Sequence, residues 1–163
     1  MLKELDRAWI AGHIPHRGSM CLLDAVEAWD QERIECRASS HRAVDNPLRA
    51  QGRLGAACGI EYAAQAMAVH GALLAPPAGS PRVGYLVSVR STRLHVPRLD
   101  DIAADLRVEA ACITRSENQV LYRFSVGAAG RVLIDGRAAV VLDAAELAPR
   151  LKPMPAPAAG EAP

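Results

Sequence analysis

Read by its hydrophobic and polar positions, the chain divides into one long apolar rod and a series of shorter segments around it. The stretch Arg53 to Leu74, RLGAACGIEYAAQAMAVHGALL, is almost free of charge. Its Ala, Leu, Met, Ile and Gln residues lose little rotamer freedom in a helix, so a helix is predicted from about Ala56 to Leu74. Polar side chains within it are confined to Glu61, Tyr62, Gln65 and His70. That is too few to cover the solvent side of an amphipathic helix, and burial nearly all round is expected. The alanines keep the rod thin, so strands can approach its backbone. Glu61 and Gln65 stand at i and i+4, on one face that Ala68 and Ala72 continue. A carboxylate and an amide above a floor of small side chains suit a narrow substrate slot. An acid near the amino-terminal end is equally what the helix dipole favours.

Shorter patterns flank the rod. Leu2 to Ile10 carries an apolar stripe that predicts a short helix, acting as a lid or brace. GHIPHRGSM then forces a loop that presents His13, His16 and Arg17. Met20 to Trp29 reads as a buried strand, with Arg33 to Ser39 as its hairpin partner. His41 to Gly55 is irregular, and Pro76, Pro77, Gly79 and Pro81 stop the central helix. Four strands follow, Val83 to Val96, Asp101 to Thr114, Asn118 to Gly127 and Arg131 to Leu142, with separators short enough for antiparallel hairpin neighbours. The layout that buries a helix on nearly every side is α+β, a curved antiparallel β-sheet wrapped around a long central α-helix. Residues 1–143 form one domain in this reading, and the Ala/Pro-rich segment 144–163 a disordered tail.

Composition narrows the chemistry. Half of the 163 residues are hydrophobic but only six are aromatic, so the core is mainly aliphatic. The formal net charge is +1 and the arginines are scattered along the sequence, which gives no field to recruit nucleic acid. Cys21, Cys36, Cys58 and Cys112 lie in apolar runs without a CxxC, as reduced core residues of a cytoplasmic protein would. The charged start MLKELDRAW lacks the apolar core of a signal peptide, and no apolar run is long enough to span a membrane. Histidines and cysteines show no metal-ligand spacing, and no Gly-rich phosphate loop follows a strand, so no bound cofactor or metal is expected.

Three segments carry a resemblance. IPHRGSMCLLDAV, GIEYAAQAMAVHG and GYLVSVRSTRLHV occur in the order seen in hotdog-fold 3-hydroxyacyl-acyl-carrier-protein dehydratases, covering most of Ile14 to Leu142. The first resembles a PHR-x-P opening, the second an E-A-x-A-Q helix. The IEYAAQAMAVHG wording is most similar to the dehydratases of aryl polyene and xanthomonadin-like pigment pathways. The resemblance implies a hotdog dimer with substrate sites at the interface, Glu61 as the carboxylate of the helix and His16 as the nearby loop histidine. This sequence departs from the family at one point. The usual GHFPxxP histidine would fall at Pro47, and no histidine lies between His41 and Glu61. Three explanations stand, of which the first is preferred: His16 takes its place, His41 reaches the site through a differently shaped loop, or catalysis has been lost.

Dehydration of a 3-hydroxyacyl thioester needs a base at carbon 2 and an acid at the carbon 3 hydroxyl. His16 is assigned to the carbon proton and Glu61 to the hydroxyl, or the two in exchanged roles. Free N–H groups around Gly55 to Cys58 would stabilise the thioester oxygen. Gly52 and Gly55 would let the acyl chain approach, and Gln65 and Arg17 would bind substrate. The acyl group would arrive on the phosphopantetheine of an acyl carrier protein, with Arg90, Arg93 and Arg98 as docking candidates. Two alternatives stand beside this. One is a hotdog acyl thioesterase using Glu61 to activate water. The other is a catalytically weak subunit paired with a second dehydratase, so that the dimer is hetero- rather than homomeric.

Overall fold

The computed structural model describes residues 5–76 and 83–142. The predicted tail, the first residues of the predicted Leu2 to Ile10 helix and the prolines and glycine at 77, 79 and 81 lie outside them. The first helix, α1, spans Arg7–His13, later than expected, because Asp6 caps it by accepting from the Trp9 N–H at 2.9 Å. After it come β1 (Ala25–Trp29), β2 (Arg33–Ala38), a 3-10 turn at Ala56–Cys58, α2 (Gly59–Leu74), β3 (Gly84–Leu94), β4 (Leu106–Arg115), β5 (Gln119–Ala128) and β6 (Arg131–Leu142). Helical backbone thus covers the whole stretch predicted for the central rod.

The strands form one antiparallel sheet in the order β1-β2-β4-β5-β6-β3. The expected β4–β5 and β5–β6 hairpins are present. The expected pairing of β3 with β4 is not: β3 lies at the far edge, on β6. The reason is that residues 95–105 are used elsewhere. Pro97 C=O accepts from Ala56 N–H at 3.2 Å, Leu99 N–H donates to Leu54 C=O at 2.8 Å, and the Asp100 carboxylate accepts from Leu54 N–H at 2.9 Å. This segment braces the start of α2, so β4 begins at Leu106 and not at Asp101. The predicted Met20 to Trp29 strand is likewise shortened. Gly18–Met20 is a 3-10 turn, Cys21 to Leu23 are buried without strand pairing, and Trp29 is 44% exposed.

Alternation along the strands sets the core. On β5, Val120, Tyr122, Phe124, Val126 and Ala128 point inward, while the odd positions face out. They meet Tyr62, Ala63, Ala66, Met67 and Val69 of α2, which packs against β2, β4, β5 and β3. Each fully buried Phe, Leu or Ile contributes about 1.5–3 kcal/mol relative to exposure. At Gly59 a Cβ would sit 2.0 Å from Ile134 Cδ1, so the start of the helix lies close against β6 and a larger residue there would have to displace the buried Ile134 side chain. Burial is not complete around the rod, however. Ala64, Ala68 and Ala72 are only part-buried and Gly71 is exposed. Spaced by three and four residues, these small side chains form a face of α2 that stands back from the strands opposite, and a cavity lies along it.

Candidate active site

Gln65 organises the site from within the core. It is fully buried, and its amide donates to Met20 C=O at 2.7 Å and to Glu61 Oε1 at 3.1 Å while its own oxygen accepts from Leu22 N–H at 2.9 Å. All of its bonds are directional, so it ties the 20–22 segment to α2 and aims the Glu61 carboxylate at once. On the other side of Leu22, Ser40 Oγ donates to Leu22 C=O at 2.7 Å and meets Tyr62 Oη at 2.8 Å, which also accepts from Asn46 at 3.1 Å. Burial pushes the Tyr62 phenol up, so it remains a neutral, fixed member of this network.

The loop before this segment delivers a histidine. Arg17 reaches back to donate to Ala11 C=O at 2.5 Å and Ile14 C=O at 2.8 Å, and Gly18 turns the chain with φ +56°. His16 Nε2 then stands 3.0 Å from Glu61 Oε1, both side chains about one-third exposed or less (26% and 32%). The second ring nitrogen, Nδ1, is buried with no hydrogen-bond partner. A proton there would be an unsatisfied donor, and Nε2 lies beside a carboxylate, so the neutral ring carries its proton on Nε2.

His16 lines a cavity of about 570 Å³ whose long wall is the small-residue face of α2, from Ala64 through Ala68 and Gly71 to Leu74. The ten helical steps from 64 to 74 give it a length of about 15 Å. Opposite lie Tyr122, Val140 and Leu86, with Arg115 at the β4–β5 end. Tyr122 and Arg115 had no individual motif to mark them. Tyr122 faces inward by the alternation along β5, whereas Arg115 reaches the same side of β4 only beyond the bulge at Cys112/Thr114, which the pairing alone reveals. Tyr122 is held by His70, whose Nε2–H donates to Asp30 C=O at 2.9 Å and whose Nδ1 accepts from the tyrosine hydroxyl at 3.0 Å. Burial pushes the Tyr122 phenol up to about 12.

The structure therefore brings together Glu61, His16 and Gln65, and uses Arg17 to brace the loop. It places the other candidates elsewhere. Gly52 has φ +73° in an exposed turn beside Gln51, and Gly55 opens the 3-10 turn against Arg98; neither lines the cavity. The N–H groups of Ala56 and Cys58 are already bonded to Pro97 and Gly55 carbonyls, so they are not free for an oxyanion. His41 is fully buried, with Nε2 on Ile102 C=O at 3.0 Å, and burial lowers its pKa. His13 does line the cavity, but its ring stacks on Trp9 at 3.8 Å and its Nδ1 is held 2.7 Å from Trp9 C=O, and His95 pairs with Asp135 at 2.6 Å on the outer face. Arg98 is bonded to Asp100, whose carboxyl it holds well below the usual range, and is not a free docking charge. Among the described residues the four cysteines are unpaired, no group of three or more His, Cys, Asp or Glu side chains could hold a metal ion, and no helix is long and apolar enough to cross a membrane.

Residues 9–149 match the ApeP-like family, described as ApeP dehydratase. No curated protein matches the chain. Among solved structures, the dehydratase heterocomplex ApeI:P from Xenorhabdus doucetiae is similar with a TM-score of 0.77 at 22% identity, over 88% of this chain and 97% of that one. A thioesterase from Haemophilus influenzae is similar with a TM-score of 0.55 at 12% identity, over 73% and 77%. A hypothetical thioesterase from Streptococcus pneumoniae, solved with coenzyme A, gives 0.54 at 12% identity, over 72% and 84%. These likenesses show the hotdog fold.

Proposed function

The chain belongs to the ApeP-like dehydratase family, and from that premise we propose that it is a hydro-lyase. Its substrate is a 3-hydroxyacyl group on an acyl carrier protein, and its product the trans-2-enoyl thioester, within fatty-acid-like or aryl polyene biosynthesis. The observation that carries the reading is the 3.0 Å approach of His16 Nε2, which lines the cavity along α2, to Glu61 Oε1.

The reaction breaks a C2–H bond and the C3–O bond, forms a C2=C3 double bond and releases water. It is redox-neutral and moves one proton, so a carboxylate and an imidazole suffice and no cofactor is required. With Nδ1 enclosed and the ring proton on Nε2, the neutral His16 presents a donor at the cavity wall, and Glu61 supplies the basic oxygens 3.0 Å from it. Glu61 therefore takes the C2 proton, while Nε2–H of His16 hydrogen-bonds and orients the C3 hydroxyl. As the C3–O bond breaks, the Glu61 carboxyl hands that same proton to the departing oxygen, so it leaves in the water and the carboxylate beside the neutral imidazole is restored. The carbon-proton role thus falls to Glu61, where the assignment preferred from sequence gives it to His16. The test is turnover of a carrier-bound 3-hydroxyacyl thioester followed by mass spectrometry. Loss of one water, reduced by about 10²–10⁴-fold in both Glu61→Gln and His16→Ala, is expected. A free acid as product would replace this reading with thioesterase chemistry.

A second reading has its own observation. The solved relative is a heterocomplex, and β3 leaves an apolar edge exposed at Tyr85 (47%), Leu86 (40%) and Val87 (44%). A chain that works as one subunit beside a second dehydratase would cover that edge with its partner. Turnover that appears only after a partner dehydratase is added would favour it; full activity of the isolated protein would exclude it.

A further inference from the structure

His13 lines the same cavity as His16 but takes no part in the proposed chemistry. It stands in the last turn of α1, with its Nδ1 2.7 Å from Trp9 C=O. A carbonyl only accepts, so the neutral ring carries its proton on Nδ1. One face of the ring is stacked on the Trp9 indole, with centroids 3.8 Å apart and planes at 11°. Bond and stack together fix the position and the tautomer of the ring. A histidine that bonds the last carbonyls of a helix is an ordinary cap. Capping accounts for Nδ1, however, and leaves Nε2 as an acceptor with no partner among the described residues.

The other polar side chains that line the cavity are donors or are already engaged. His16 carries its proton on Nε2 and has Nδ1 enclosed, and Arg17 and Arg115 can only donate. Tyr122 gives its hydroxyl proton to His70, and its oxygen lies beside the Arg115 guanidinium. Nε2 of His13 is therefore the free side-chain acceptor of this cavity among the described residues. A ligand that satisfies it has to bring an N–H or O–H. The hydrocarbon part of an acyl chain has neither, whereas the phosphopantetheine arm carries an amide N–H one ethylene unit from the thioester sulfur. Exposure decides between that N–H and the C3 hydroxyl. The reacting carbons belong beside His16 and Glu61, which are 26% and 32% exposed, while the exposed His13 sits where the cavity opens to solvent and the arm has to cross.

We propose that His13 binds the substrate's phosphopantetheine arm, its Nε2 accepting the amide N–H nearest the thioester sulfur. The inference rests on the reading of the substrate as a carrier-bound thioester. Held at that amide, the arm sets the depth at which carbons 2 and 3 stop beside Glu61 and His16, and so restricts the substrate to the reactive placement.

The test compares pantetheine with an isostere that has CH2 in place of the sulfur-proximal N–H, each prepared as an inert S-alkyl thioether and as a 3-hydroxyacyl thioester. Calorimetry with the thioethers reads binding by the full chain without turnover. The wild type binds the amide form about two- to tenfold more tightly than the isostere, the scale of one neutral hydrogen bond. With the thioesters the same preference appears in KM and not in kcat. His13→Asn keeps a donor for Trp9 C=O but has nothing at the Nε2 position, and its preference is lost. His13→Gln places a carbonyl oxygen near that position and retains the preference. No preference in the wild type would overturn the proposal. So would a ratio unchanged in His13→Asn, even with both forms bound more weakly, since His13 would then be only a cap of α1. If the thioethers discriminate but no 3-hydroxyacyl thioester loses water, the dehydration reading fails while the contact to the arm stands.

Discussion

His70 and His16 are the same residue in the same protein with opposite fates. His16 keeps Nε2 at the cavity beside a carboxylate, whereas His70 spends both nitrogens on fixed partners, Asp30 C=O and the Tyr122 hydroxyl. Burial lowers the pKa of His70 and of His41 from the usual value near 6.5. A histidine with a depressed folded-state pKa binds protons more readily when unfolded, so the stability it supports is present above about pH 6.5 and is lost as pH falls below it. Each such group steepens the loss by at most about 1.4 kcal/mol per pH unit. Thermal unfolding followed from pH 7.5 down to 5 should show a falling Tm, and His70→Gln should make that fall shallower. The remaining slope belongs in part to His41. Sequence favours a structural role for His70 beside the core but does not name its partners, because they lie 40 and 52 positions away.

At the level of elements, α2 serves as core and as cavity wall through different faces. Tyr62, Ala66 and Val69 are closed off by the sheet, while Ala64, Ala68 and Gly71 line open space. Ala68→Phe should therefore tolerate the larger side chain with little change in Tm, since it projects into the cavity and not into packed core. It should also block the passage along the helix. Turnover of short 3-hydroxyacyl thioesters is expected to persist while that of long ones falls by about tenfold or more, the scale of a lost apolar binding pocket. A matched loss on both would place the acyl chain elsewhere. The helix itself was legible from its composition. Its open face was not, because a stripe of alanines packs against strands as readily as it lines a slot.

The two edges of the sheet decide the behaviour of the whole molecule. At one end β1 is short and is protected by the Asp6–Ala25 bridge and by the Val26 N–H bond to Leu5 C=O. At the other, β3 runs for eleven residues with Tyr85, Leu86, Val87 and Leu94 exposed. A long apolar edge with free backbone donors and acceptors pairs with another strand. Sedimentation should show the wild type associated, as a homodimer or with a second dehydratase, and Tyr85→Lys with Val87→Lys shifted toward monomer. An unshifted profile would place the interface away from β3.

Local pattern, by itself, determined which segments became helix and strand. The apolar run without breakers dictated α2, and the alternation on β5 and β6 dictated which of their residues face the core. It also marked Glu61, Gln65 and His16 as chemistry-bearing, through the motifs that hold them. Tertiary structure decided everything that depends on distance between remote positions. The segment 95–105 bonds the start of α2, and this sends β3 to the far edge of the sheet. The same register gathers Arg90, Arg123 and Arg137, scattered in sequence, into one row. His16 meets Glu61 across 45 positions because Gln65 bonds the 20–22 segment and Arg17 folds its loop back. Propensity and periodicity act between neighbours in the chain, whereas these contacts are chosen by packing and by the need of each buried polar group for a partner.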